Sequence, residues 1–219
     1  MAAASVIAAG CGQKEEASPA GSSETFKAPV EVTEAAKEAE PEEEEAAPAS
    51  DYPGTPVVEI NIKDYGIIKA ELDPEQAPET VRNFIDLAES GFYDGLTFHR
   101  IMDGFMMQGG DPDGNGTGGA EKTIKGEFAQ NGVQNNISHT KGTLSMARSQ
   151  DPNSASSQFF IVQSDSTFLD GQYAGFGHVT EGLDIVDRIC SDAKPVDGNG
   201  TIPPEEQPVM ESVKISYAQ

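Results

Sequence analysis

TFHRIMDGFMMQGGDPDGNGTGG, Thr97 to Gly119, is the stretch from which the chain is read. One cation, Arg100, stands five residues before the apolar cluster Phe105, Met106 and Met107. Gln108 follows, and then a run so rich in glycine that it is expected to form neither an ordinary helix nor an ordinary strand. A guanidinium, an apolar wall and a glycine-rich loop in sequence make a binding site carried on a scaffold.

On the N-terminal side of this stretch, PVVEINI alternates apolar and polar residues and predicts a strand. Asp64-Tyr65-Gly66 turns it, and GIIKAEL returns as the second arm of a hairpin. From Pro78, PETVRNFIDLAESG places Val81, Phe84, Ile85 and Ala88 at helical spacing, with proline suited to the first turn and Gly91 just past the end. Its apolar face must cover an open end of a sheet or barrel. On the C-terminal side come short strand-like pieces: TLSMA (Thr143–Ala147), QFFIVQ (Gln158–Gln163), with Phe159 and Phe160 on opposite faces, and YAGFGHV (Tyr173–Val179). EGLDIVDRICS reads as a second amphipathic helix with Cys190 in its apolar register, and ESVKISY as a last strand. Many short strands with two isolated helices predict a mainly β fold, a closed antiparallel sheet with helical caps.

The chain has 219 residues and a net charge of −23. Twelve acidic residues against three lysines between Cys11 and Asp51 put −9 of that charge in the N-terminal segment, and −14 on the remainder. Such acidity disfavours nucleic acid and bare anionic membrane as partners, because both are polyanions. Two distant cysteines make neither a disulfide framework nor a Cys-x-x-Cys metal or redox pair. No run approaches the roughly 18 apolar residues a membrane span needs.

Residues 1–10 are small and apolar, and Ala8-Ala9-Gly10-Cys11 resembles the box that precedes the lipidated cysteine of bacterial lipoproteins. Ala8 replaces the usual larger aliphatic residue, and no basic residues lead the segment, so the recorded start is expected to lie inside a longer signal. Lipidation at Cys11 would place the protein outside the cytoplasm, its only membrane contact an anchor. The competing reading is a disordered, cytoplasmic N-terminus with an incidental cysteine. Residues 11–52, rich in Glu, Ala and Pro, cannot bury enough apolar surface to offset their ordering entropy. They are expected to be a disordered acidic tether, with the folded domain spanning 53–219.

DPDGNG at Asp111–Gly116 matches the opening of a calcium loop, but its twelfth position is Lys122 and no helices flank it. A phosphate cradle fails for want of Gly-Lys-Ser/Thr and because Asp103, Asp111 and Asp113 would repel the ligand. His99, His139 and His178 have no metal spacing, and Ser145, Ser154, Ser156 and Ser157 sit in no nucleophile elbow. Neither metal nor cofactor is called for. A cation beside an apolar cluster suits few reactions. One is rotation about an Xaa-Pro bond, whose barrier of roughly 18–20 kcal/mol comes from amide resonance. A guanidinium donating to the prolyl nitrogen weakens that conjugation, and a dry pocket can hold the twisted ring better than the planar one. A salt bridge remains the alternative role for Arg100.

FHRIMDGFMMQGGDPDGNGTGG together with GTLSMARSQDPNSASSQFFIVQSDSTFLDGQYAGFGHV resembles the cyclophilin family of peptidyl-prolyl isomerases, with support from Pro74–Phe84 and EGLDIVDRI. The resemblance covers Pro53 to Gln219. It implies an eight-stranded closed antiparallel barrel capped by two helices, and isomerase activity on Xaa-Pro polypeptides such as newly exported proteins. By motif, Arg100 is similar to the family's catalytic arginine. Phe105, Met106 and Gln108 correspond to the pocket wall and its hydrogen-bonding glutamine. Ala147 matches a backbone contact, and Gln158, Phe160 and Leu169 complete the pocket. Three positions depart from the best-known eukaryotic pattern. Arg148 replaces an asparagine, in a contact made largely through the backbone. Phe168 replaces a tryptophan associated with cyclosporin, which implies weaker inhibition, and Tyr173 replaces a histidine. The other reading is a non-catalytic module or chaperone at the cell surface that holds proline segments; nothing demands more than a monomer.

Overall fold

The computed structural model describes residues 52–219; the expected signal, the expected lipidation at Cys11 and nearly all of the expected tether lie outside the described residues. Eight strands form one antiparallel sheet. They are β1 (Thr55–Ile62), β2 (Gly66–Leu72), β3 (Thr97–Met102), β4 (Met106–Asp111), β5 (Thr143–Met146), β6 (Phe159–Val162), β7 (Gly175–Glu181) and β8 (Met210–Ala218), in the order β3-β4-β6-β5-β7-β2-β1-β8. Two helices, α1 (Pro78–Glu89) and α2 (Leu183–Asp192), complete the fold.

The strand and helix expectations hold at every segment named above, with two shifts of two residues: β7 begins at Gly175 rather than Tyr173, and α2 at Leu183 rather than Glu181. The glycine-rich run is different. Its first part is strand β4, which absorbs Gly109 and Gly110. A Cβ on Gly109 would stand 2.7 Å from the Thr97 carbonyl oxygen and 2.9 Å from the Phe98 ring. Gly110 has φ +80°, and a Cβ there would meet the Ser157 carbonyl at 2.6 Å. Close backbone approach is what puts glycine in this strand.

The closed barrel is not what forms. The sheet is an open, curled half-barrel whose edges lie 6 Å apart. β3 and β8 share no ladder; at the seam stand the isolated bridge Thr97–Val209 and, just ahead of β3, two backbone bonds that join Met210 of β8 to Gly95 and Leu96. The free edge of β3 is instead covered by the excursion between α2 and β8: Ile101 N–H donates to the Gly200 carbonyl (2.8 Å), Ile202 N–H to that of His99 (3.0 Å) and Phe98 N–H to that of Pro208 (2.9 Å). Pro203, Pro204 and Pro208 have no N–H to give, so this segment satisfies the edge piecemeal and cannot extend the sheet.

The main core fills the curl. Phe84 of α1 packs on Tyr93 (5.1 Å between centroids), Phe159 (5.3 Å) and Phe176 (5.2 Å), so the helix closes one end of the sheet. The residue before α1, Ala77, offers no side-chain cap; the buried carboxylate of Glu127 accepts the N–H groups of Glu79 (3.0 Å) and Thr80 (2.8 Å) instead. An acceptor with negative charge at a helix N-terminus satisfies two orphan donors and complements the helix dipole.

Candidate active site

Arg100 owes its direction to a bulge. In the β3–β4 register Phe98 faces Gly109 and Arg100 faces Gln108, so His99 is an extra residue on β3. Without it Phe98 and Arg100, two apart, would share a face. With it Phe98 and Ile101 enter the main core while Arg100 emerges on the outer face beside Gln108. The same face carries a second, smaller apolar cluster of Met106, Phe160, Val162 and Leu169, bordered by Phe105, Ala147 and Tyr173. Phe159 and Phe160 divide between the two clusters, as their alternation predicts.

Arg100 is held at three points: Nε donates to the Asn199 carbonyl (2.7 Å), Nη1 to Gln108 Oε1 (3.1 Å), and Nη2 lies 3.2 Å from the Met102 sulfur. Gln108 Nε2 donates to Gln158 Oε1 (2.9 Å), and Gln158 Nε2 to the Gly118 carbonyl (2.7 Å). The chain can run only one way, because a guanidinium only donates and a carbonyl only accepts, so both amide orientations are fixed. Burial lowers the Arg100 pKa, with Tyr173 and Asp197 acting in the opposite sense, yet a guanidinium stays charged at any pH a protein meets.

Nine of the expected residues surround one cavity of about 200 Å³: Arg100, Phe105, Met106, Gln108, Ala147, Arg148, Phe160, Leu169 and Tyr173. Gln158 stands one step behind, orienting Gln108 and lining an adjoining hollow of about 220 Å³. Phe168 lies outside the cavity, 65% exposed on its rim against Phe105, with the two rings 5.7 Å apart. Arg148 does more than lend backbone. Its guanidinium lies over Tyr173 (4.7 Å) and Phe128 (5.0 Å) and donates to the Gln172 and Ser149 carbonyls. Asp111 is committed to structure: its carboxylate accepts N–H bonds from Asp113 (2.9 Å), Asn115 (3.0 Å) and Gly116 (2.5 Å), which hold it below the usual range although burial pushes the other way.

A cation locked at the mouth of an apolar cavity the size of a small ring meets the requirement set by a twisted prolyl bond. The profile described as cyclophilin type peptidyl-prolyl cis-trans isomerase/CLD matches residues 57–217. The chain belongs to the cyclophilin family. It is 40% identical over 160 residues to peptidyl-prolyl cis-trans isomerase B of Escherichia coli (strain K12), covering 69% of this chain and 95% of that protein. To peptidyl-prolyl cis-trans isomerase B of Bacillus subtilis (strain 168) it is 49% identical over 130 residues, covering 59% and 87%. A cyclophilin type isomerase of Cryptosporidium parvum, crystallised in the presence of the dipeptide Ala-Pro, is similar with a TM-score of 0.65 and 30% identity, covering 74% of this chain and 99% of that one. This cyclophilin is thus a peptidyl-prolyl cis-trans isomerase acting on Xaa-Pro bonds.

One group near the cavity has no signal in the sequence. His139 is fully buried, with Nδ1 2.8 Å from Asp170 Oδ1 and Nε2 2.9 Å from Ser145 Oγ. The fold therefore assembles an acid–imidazole–hydroxyl chain from residues 31 and 6 positions apart. Ser145 is wholly buried, so its hydroxyl meets no substrate.

Proposed function

We propose that Arg100 carries the isomerisation and that the nine-residue cavity holds the proline ring. The observation that carries this is the three-point fixation of Arg100 beside Gln108 at an apolar floor. A substrate whose ring sits against Phe105, Met106, Phe160 and Leu169 presents its prolyl nitrogen to the guanidinium. Donation to that nitrogen favours the pyramidal, twisted state over the planar ground states, and the fixed hydrogen bonds spare the cost of reorganisation. Gln108 aims the guanidinium and offers polar contact to the substrate backbone. The Arg100→Ala variant in a protease-coupled Xaa-Pro assay tests the assignment; turnover equal to the wild type would sink it.

We further infer that the domain 53–219 works as a monomer outside the cytoplasm, tethered by residues 11–52 to a lipid on Cys11, and assists exported proteins to fold. Support comes from the Ala8–Cys11 box and from the acidic, Pro-rich composition that follows. Uncatalysed prolyl isomerisation takes tens to hundreds of seconds, which gives such a helper its purpose. Mass spectrometry of the mature N-terminus decides: an unmodified Cys11 behind an intact Met1 overturns the anchor. Cyclosporin-type ligands are expected to bind weakly, because Phe168 offers no indole N–H.

A further inference from the structure

The acid–imidazole–hydroxyl chain beside the cavity, buried at His139 and Ser145 and exposed at Asp170, is built from three segments that meet behind its wall. Ser145 of β5 stands directly opposite Phe160 in the β5–β6 register, so both side chains leave the sheet on one face. The His139 ring stacks on Phe160, 6.1 Å between centroids and 20° from parallel. Asp170 directly follows Leu169 and accepts the backbone N–H of His139 (2.7 Å), its Nδ1–H (2.8 Å) and the Ser138 hydroxyl (2.7 Å). Ser166 N–H returns to the His139 carbonyl (2.7 Å), closing the short turn that carries Leu169.

We propose that Asp170, His139 and Ser145 form a brace that sets the position of Phe160 and Leu169 against the proline ring, making His139 a positioning residue for the isomerisation. The inference rests on the reading of Phe160 and Leu169 as proline-facing wall. Its polarity is determined. An ionised Asp170 can only accept, so Nδ1 carries the proton and Nε2 accepts from the Ser145 hydroxyl, whose only partner among the described residues is this ring. A second proton on the imidazole turns Nε2 into a donor: the bond to Ser145 Oγ reverses, and the Ser145 proton is left without a partner among the described residues, which weakens the brace at the sheet. Desolvation holds the imidazole neutral, lowering its pKa, and the Asp170 carboxylate opposes that. Asp170 is the charged group facing the ring; Ser145 and Phe160, packed on it from β5 and β6, are uncharged, and the nearby Lys141 amine is engaged by Asp187.

The test uses the full chain and steady-state turnover of an Xaa-Pro peptide across the range from about pH 5 to pH 8, where histidine changes charge. His139→Gln is expected to lower kcat/KM by about tenfold at neutral pH, the scale that small misplacement of a reacting group produces. Asp170→Asn keeps the shape and removes the charge, so the acid-side fall of kcat/KM is expected to move to lower pH by about one unit. His99, the other buried imidazole nearby, feels Asp111 and Arg100 rather than Asp170, and its titration would stay where it is. If His139→Gln keeps wild-type turnover, or if the acid limb is the same in Asp170→Asn as in the wild type, the brace is overturned. If Phe160→Ala leaves turnover unchanged, the wall is misassigned and the brace falls with it; loss in Phe160→Ala alone overturns the brace and spares the wall.

Discussion

Arg100 and Gln108 face each other across the bulged β3–β4 pair, Nη1 to Oε1 at 3.1 Å, and the amide is itself locked from behind by Gln158. Removing the cation in Arg100→Ala is expected to lower kcat/KM by about 10²–10³-fold, the scale of one lost preorganised donor in a dry site. Gln108→Ala leaves the charge but frees its aim, and a smaller fall of about tenfold is expected. Arg100→Lys should not rescue the first variant, since one ammonium on a flexible stem cannot hold Gln108 and the Asn199 carbonyl in the guanidinium's fixed fork. Peptide turnover in the protease-coupled assay measures all three.

Phe168 sits on the rim and not in the cavity, so its replacement should separate drug binding from catalysis. Phe168→Trp is expected to tighten inhibition by cyclosporin-type ligands about tenfold, the worth of one added hydrogen bond, while peptide kcat/KM stays near wild type. An inhibition titration with the two proteins in parallel checks it. Equal inhibition of both would dismiss the rim as the cause.

Glu127 is buried where α1 begins, and no side chain at Ala77 can replace it. Glu127→Ala strips the acceptor from the Glu79 and Thr80 amides and is expected to cost about 2 kcal/mol, which chemical denaturation reads directly. The site lies elsewhere, so folded Glu127→Ala protein should retain its kcat. Unchanged stability would show that water serves those amides equally well.

Acid should weaken the fold through its two buried imidazoles. Desolvation lowers the pKa of both His99 and His139 below the 6.5 usual for an imidazole. The unfolded chain therefore binds protons at a pH where the folded one does not, and stability, complete above about pH 6.5, is lost as the pH falls toward the folded values. The slope is at most about 1.4 kcal/mol per pH unit for each histidine. Denaturation midpoints across that range test it; a His99→Gln variant should show a shallower slope than the wild type.

What the sequence disclosed and what it hid have separate physical causes. β1, β2, α1 and α2 were legible because their apolar residues keep an unbroken period of two or about 3.6. β3 and β4 were not, because the bulge at His99 interrupts the alternation in one and paired glycines empty the other. Most of the cavity lining lies in contiguous motifs, which is why those residues could be named from the sequence. The open seam could not be read, since strand count does not say whether the last edge meets the first. Nor could the brace, whose members lie on three elements and reveal themselves only when the sheet brings Ser145 opposite Phe160. Glu127 is the same kind of residue: 47 positions from the amide it serves, with no local pattern to mark it.

The excursion from α2 to β8 that covers the β3 edge also supplies the Asn199 carbonyl that grips Arg100. The aim of the reacting cation is therefore set from the molecule's exterior, by the exposed turn at residues 197–199, whose neighbours Gly200 and Ile202 belong to the interior. Changes confined to that exposed turn can retune turnover while the bonds from Gly200, Ile202 and Pro208 keep the β3 edge covered, so rate and robustness can be varied separately in this chain.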